Sequence, residues 1–544
     1  MGAVSRFARR AGANAARGAR ELFARSALPR RGAPAWLALR LGPGLDDLPA
    51  PYLPLARASG PGLLPALAAL DAAARDPWIA GVSLRFAGPI GGFSRVASLR
   101  RAVDRVRESG RPVVAWGEVF DAASLVVASG ASRLWLPPTG SLQLVGLRFE
   151  GLFLRGLLDR LELHPDVVRV GTHKTAGDRF TRQSMSNEER EQLEALADDL
   201  YAELVGAIAR GRGLSADAVR DLVDRGPWLG RAAVEAGLAD ACLYPDEIER
   251  EMLALAPATR REGADADRAR QVDAALYHAL RGVDPGWRPL LRELPRLAVV
   301  VGRGAIHRGA SHRGIASERM RECLDELRRE ASVKGVVLRL ESPGGDALAS
   351  DLVWRSVSLL SREKPVVVSM GDVVASGAYY VAAGAHAIFA EAGTLTGSIG
   401  VVGGKLDAEG LFRRLGVTRE AIERGARAGL LSATHGFTAA ERAAVQASMQ
   451  AIYGTFVERV SEGRKLPAEQ VEKVAQGRVW SGVRAREAGL VDSIGGPLEA
   501  LAEVRRRARL ADGERVVVEL HPRVAPFAGL RTLLRWLPGV GAVG

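Results

Sequence analysis

Cysteine is nearly absent from this chain of 544 residues, which holds only Cys242 and Cys323. Two thiols cannot form a disulfide framework, and nothing near them has metal-ligand spacing. The eight histidines include no HxxxH or HExxH pair, so no metal site is expected. No window of about 18 apolar residues occurs, so no transmembrane helix is expected. The N-terminus lacks the unbroken apolar stretch of a secretion signal. A GxxxxGK[ST] loop for ATP is missing too, and no cofactor is expected. The basic residues are not interleaved with aromatics, which argues against nucleic acid as a partner.

The hydrophobic fraction of 47% and charged fraction of 25% are those of a globular protein. The length is too great for one core and suggests two domains with extensions. Net charge is +12, carried mainly by arginine. The excess gathers at the N-terminus, where Arg6, Arg9, Arg10, Arg17, Arg20, Arg25, Arg30 and Arg31 face only Glu21. This segment reads either as a helix lying on an anionic membrane or as a basic tail. The apolar C-terminal run 525–544 is a second candidate surface anchor.

Two stretches are copies of each other in a register of 254 residues, which sets Gly81 against Gly335, Pro89 against Pro343 and Gly91 against Gly345. The same register sets Gly171 of VGTHKTAG against Gly425 of ERGARAG. Each copy has lost a different polar group. Ser376 in VVASGAYY stands opposite Ala122, and Lys174 in GTHKTAG stands opposite Ala428. If the copies pack face to face, one Ser–Lys site forms between them.

Both copies alternate apolar strands with helices, the pattern of an α/β domain with a largely parallel sheet. The segments VGTHK and ERGAR each read as part of a strand, followed by a long helix. We expect an Arg-rich extension at 1–34, a first repeat at 35–250, a helical connector at 251–294, a second repeat at 295–505 and a tail at 506–544.

Three motifs of the second copy carry chemistry. In LESPGGDA, paired glycines after a strand let backbone N–H groups turn outward, with Gly345 the better oxyanion donor. Ser376 opens a small-residue helix, where free N–H groups and the helix dipole favour negative charge. The Gly377 N–H is the second donor candidate. Ser376 could equally be a helix cap. Ser398 lies on a Gly-flanked strand in TLTGSIGV, where a purely structural hydroxyl is the alternative.

A serine nucleophile needs a base. His386, at a helix–strand junction, reads as a packed or surface histidine. Lys174 is the better candidate, since arginine is the habitual cation here and a guanidinium cannot deprotonate. A free lysine is neutral only about 0.04% of the time at pH 7. Burial among Val168, Val170, Thr172 and Thr175 would favour the neutral form.

Together VVLRLESPGG, SMGDVVASGAYY, TLTGSIGV and VGTHKTAGDRFTRQSMS resemble the long, duplicated form of the signal peptide peptidase A family. The resemblance spans residues 35–505. It implies tandem Clp-protease/crotonase-like domains, spirals of ββα units. It also implies a bacterial serine protease with Ser376 as nucleophile, Lys174 as base, Ser398 as accessory serine and Gly345 and Gly377 as oxyanion donors. Extended apolar peptides, signal peptides among them, would be the substrates, and the family suggests a bowl-shaped tetramer. Those enzymes are usually anchored in the inner membrane, whereas the arginine-rich N-terminus here points to a cytoplasmic or peripheral location. The family often has glycine where Asp372 and Ala378 stand; tolerance is expected at both, with Asp372 able to alter the substrate groove. Two rival readings are an inactive peptide- or membrane-binding scaffold and a crotonase-type acyl-CoA enzyme using Asp346 and Asp372.

Overall fold

The computed structural model describes residues 33–43, 45–48, 62–274, 277 and 293–522, together with 11, 12, 14 and 15. The apolar C-terminal run and nearly all of the arginine-rich extension lie outside these residues.

Each repeat is built on a parallel sheet. In the first, the strand order is Gln271–Asp273, Ala35–Leu41, Ile79–Phe86, Val113–Gly117, Arg133–Leu136 and Ala241–Cys242. In the second, Val517–His521, Arg296–Arg303, Val333–Ser342, Val366–Ala375, Ala387–Ala390 and Ser493–Ile494 follow the same order. The protein is therefore α/β, with one architecture built twice.

Both faces of each sheet are covered, which explains the near-continuous apolar strands. Leu37, Leu39 and Leu41 point into the large core of the first repeat. Trp36, on the opposite face, joins Trp116, Trp135, Met252 and Leu253 in a smaller cluster. Met252 and Leu253 come from the helix Ile248–Leu255. Each such side chain contributes about 1.5–3 kcal/mol by burial.

Within 251–294, expected as a helical connector, the described residues thus do more than connect. They cover one sheet face and add the strand Gln271–Asp273, which pairs with Ala35–Leu41. The tail behaves alike: Val517–His521 pairs with Arg296–Arg303. Each repeat borrows its edge strand from the chain beyond its last crossover helix.

The repeats are joined by strands from opposite halves. His164–Val170 pairs antiparallel with Val401–Asp407, from Val170 against Val401 to His164 against Asp407. The copy-equivalent segments, 418–424 and 147–153, form no strand. The ERGAR segment, expected in a strand, is therefore irregular and exposed. It aligns with its counterpart in the copy register but has no partner strand to satisfy its backbone.

Candidate active site

The two halves of the Ser–Lys pair meet at this junction. Ser376 follows the strand Val366–Ala375 and precedes the helix Gly377–Ala382, whose residues are all buried. Its backbone is strained, with φ 55° and ψ −123°. Such a conformation costs on the order of 1–3 kcal/mol and persists only when surroundings over-determine it. Here the Ser376 N–H donates to the Gly397 carbonyl at 2.8 Å, and the Ser376 carbonyl accepts from the Tyr380 N–H at 2.9 Å. The hydroxyl makes no capping bond to the helix. The strain thus holds the side chain away from the helix N-terminus, leaving it available to react.

Lys174 arrives from the first repeat, just after His164–Val170. It is 5% exposed. Its Nζ lies 2.9 Å from Ser376 Oγ, 2.9 Å from Ser398 Oγ and 2.7 Å from the Ser398 carbonyl oxygen. Burial pulls its pKa down from 10.5 to about 8. A neutral amine has two N–H donors and one lone pair. Two donors suit the two Ser398 oxygens, and the lone pair is left to accept the Ser376 hydroxyl proton. Ser398 is thus a direct partner of the amine. It too has a left-handed backbone, φ 53°.

The glycine loop completes the site. A Cβ on Gly344 would lie 2.7 Å from Gly377 N and 2.8 Å from Ser376 Cβ, so no larger residue fits. Gly345 has φ +156°, and a Cβ there would strike the Ile306 carbonyl oxygen at 2.1 Å. The nitrogen of Gly345 sits 3.3 Å from the point where a Gly377 Cβ would be. Two backbone N–H groups therefore flank Ser376, and neither donates to a protein acceptor among the described residues.

The remaining candidates lie elsewhere. His386 is exposed and accepts the Val366 N–H on Nδ1 at 3.2 Å. Asp372 accepts the Ser94 N–H at 2.8 Å and faces Arg95 at 3.6 Å. Asp346 caps the helix Ala347–Ser361 through the Ala349 N–H at 2.8 Å and pairs with Arg308 at 3.1 Å. Both carboxylates offered for acyl-CoA chemistry are engaged in holding helices. Among the described residues no cluster of His, Cys, Asp and Glu could hold a metal ion.

Sequence reasoning missed the second-repeat turn Ala475–Arg478 that packs on the lysine loop. Its contacts are mostly backbone groups, which leave no residue-type signature beyond Gly477.

The model of peptidase family S49 matches residues 105–258 and again 358–511, together more than half of the chain. The chloroplastic serine protease SPPA of Arabidopsis thaliana is 33% identical over 455 residues, covering 82% of this chain and 66% of that protein. Protease 4 of Salmonella typhi is 31% identical over 420 residues, covering 75% of this chain and 66% of its own length. The chain thus spans just under two thirds of these relatives. Among solved structures, a lysine-to-alanine mutant of the 1510-N membrane-bound stomatin-specific protease, in complex with a substrate peptide, is 13% identical. It covers 45% of this chain and 99% of its own, with a TM-score of 0.28.

Proposed function

Since this chain belongs to peptidase family S49, we propose that it is a serine endopeptidase whose nucleophile and base come from different repeats. The observation that carries this reading is the 2.9 Å contact between Lys174 Nζ and Ser376 Oγ. Neutral Lys174 takes the Ser376 proton as Oγ bonds to the scissile carbonyl carbon. The Gly345 and Gly377 N–H groups receive the developing oxyanion, and one such donor is typically worth about 10²–10³ in turnover. The protonated amine then passes its proton to the leaving nitrogen as the C–N bond breaks. Water, deprotonated by Lys174, cleaves the acyl ester and restores Ser376. Ser398 keeps the amine aimed throughout.

A pKa of about 8 suits this role. It leaves roughly a tenth of Lys174 neutral at pH 7, about 230 times more than a free lysine. The amine remains basic enough to accept the serine proton and acidic enough to return it.

The substrates are extended apolar peptides, signal peptides among them. Among the described residues no helix is long and apolar enough to cross a membrane. A homo-oligomer is part of the same reading. Residues 147–153 occupy the copy position of Val401–Asp407, and 418–424 that of His164–Val170. Leu152 and Ile422 there are 77% and 90% exposed. A second chain could supply the missing strand to each, and at that seam Ala122 would face Ala428, so no extra site would form. Leu152→Asp combined with Ile422→Asp should lower the mass measured by light scattering to that of one chain. An unchanged oligomer, or a wild type that is already monomeric, would remove this part of the reading.

The function itself is tested by peptidase assays on wild type, Ser376→Ala and Lys174→Ala. Loss of hydrolysis in both variants, with unfolding transitions retained, is expected. A wild type that folds but neither cuts peptides nor reacts with a fluorophosphonate would favour the scaffold reading instead.

A further inference from the structure

The lysine loop does not reach Ser376 unaided. It rests on the turn Ala475–Arg478 of the second repeat. The His173 N–H donates to the Gln476 carbonyl at 2.8 Å, and the Thr172 N–H lies 3.4 Å from Gln476 Oε1. The same turn holds the segment that carries Ser398, which lies just after the strand Leu395–Gly397 rather than on it. The Ser398 N–H donates to the Arg478 carbonyl at 2.7 Å, and the Gly477 N–H donates to the Ile399 carbonyl at 2.7 Å. One four-residue turn therefore bonds both the lysine loop and the segment that carries Ser398.

Its fit is close. A Cβ on Gly477 would lie 2.5 Å from Lys174 N and 2.6 Å from both Lys174 Cα and Cβ. Gly477 has φ +77°, and Gln476 before it has φ 55°. Six described residues other than glycine have positive φ: Glu162, Ser376, Ser398, Lys465, Gln476 and Arg509. Glu162, Lys465, Gln476 and Arg509 stand at or just after helix ends, where this conformation is ordinary. The other two are Ser376 and Ser398, whose hydroxyls both meet the Lys174 amine. Backbone strain is concentrated where the amine is placed.

The turn is itself braced. Gln476 Nε2 donates to Glu472 Oε2 at 2.7 Å and to the Tyr453 hydroxyl at 3.2 Å. From the first repeat, Gln192 accepts the Val479 N–H at 3.1 Å and donates to Thr175 Oγ1 at 3.1 Å. That glutamine ties the end of the turn to the residue after Lys174.

We propose that the turn Ala475–Arg478 sets the position of Lys174 against Ser376 and Ser398, with Gln476 and Gly477 as positioning residues. Gly477 lets the lysine backbone approach, and the Gln476 side chain fixes the turn that receives it. Neither touches the reacting atoms. The inference rests on the Ser–Lys reading given above.

The test uses the full chain with Gly477→Ala and Gln476→Ala, each assayed for kcat, KM and the pH at which kcat reaches half its maximum, with thermal unfolding as a check of folding. A misplacement of about 1 Å near reacting groups costs about 100-fold. Gly477→Ala should lose about that much kcat while KM stays within about threefold. Its half-maximal pH should move above that of wild type, which is expected near the Lys174 pKa of about 8, because a displaced amine is better hydrated. Gln476→Ala should move both quantities the same way by less, and it decides alone if Gly477→Ala fails to fold. A loss of kcat with no movement of the pH limb would mean a merely structural role and would overturn the proposal, as would unchanged kinetics. Should Lys174→Ala retain full activity, the dyad itself falls. Should Lys174→Ala be inactive while the turn variants behave as wild type, only the role of the turn falls.

Discussion

Asp372 of the second repeat caps a helix of the first: its Oδ1 accepts the Ser94 N–H at 2.8 Å. That helix, Phe93–Glu108, begins at Gly92, which has no side chain to cap it. A Cβ on Gly92 would lie within 2.6 Å of three Asp372 atoms, so the glycine makes room for the borrowed cap. Arg95, one residue further on, pairs with Glu341 at 2.8 Å. Glu341 stands next to Ser342 at the mouth of the glycine loop. The nearby carboxylates therefore brace the two repeats against each other beside the site.

Asp372→Ala should destabilise the protein by about 1–2 kcal/mol, the usual scale for a lost N-cap. Asp372→Asn, which keeps an acceptor, should lose less. Chemical denaturation measures both. Peptide hydrolysis per folded molecule should stay within about threefold of wild type, since this side chain bonds the first repeat and not the dyad. A changed cleavage preference in Asp372→Ala would return the residue to the substrate groove.

Burying Lys174 has a cost that replacement should reveal. The folded protein releases its proton near pH 8, against 10.5 for an ordinary lysine. Below pH 8 both folded and unfolded chains hold the proton, and burying the charge costs roughly 3 kcal/mol. Between pH 8 and 10.5 only the unfolded chain holds it, so raising the pH stabilises the fold. Lys174→Met should therefore be the more stable protein at pH 7, by about 1–2 kcal/mol after the lost Ser398 bonds are counted. Its advantage should shrink as pH rises from 8 to 10.5. Denaturant midpoints of the two proteins at pH 7 and 10 measure this. An advantage independent of pH would contradict the lowered pKa.

Glu391 is fully buried between the repeats, where it bonds Ser98 and Arg101 of the first. Arg101 also reaches Glu499 at 3.2 Å. Arg101→Met leaves a buried carboxylate without its cation and should cost about 3–5 kcal/mol. Adding Glu391→Gln should recover much of that loss. Thermal unfolding of the single and double variants distinguishes this from simple loss of packing, in which the second change would not help.

How far the sequence discloses these arrangements depends on the kind of interaction. The duplication is legible because the apolar strands and Gly/Pro loops repeat in one register. Lys174 and Ser376 stand out as polar residues opposite alanines, and Lys174 is the only lysine in the first 333 residues. Contacts made through backbone groups leave no such mark. The pairing of His164–Val170 with Val401–Asp407 joins strands from different copies, and local periodicity cannot report a partner so distant in the chain. The ERGAR segment holds the equivalent position in its copy but lacks that partner. Gln271–Asp273 is too short for an alternating pattern to register. Asp372 shows in the sequence only as an acid where related chains often have glycine, because its carboxylate bonds a helix 278 positions earlier.

The most direct test of the account follows the reaction of Ser376 itself. The rate of labelling by a fluorophosphonate, measured across pH 6–10, reports the hydroxyl's activation without depending on substrate choice. Wild type should label about tenfold faster for each pH unit gained and level off above about pH 8, as Lys174 becomes neutral. Lys174→Ala should lose that pH-dependent rate. Equal labelling of wild type and Lys174→Ala at every pH would contradict activation of Ser376 by the lysine of the other repeat.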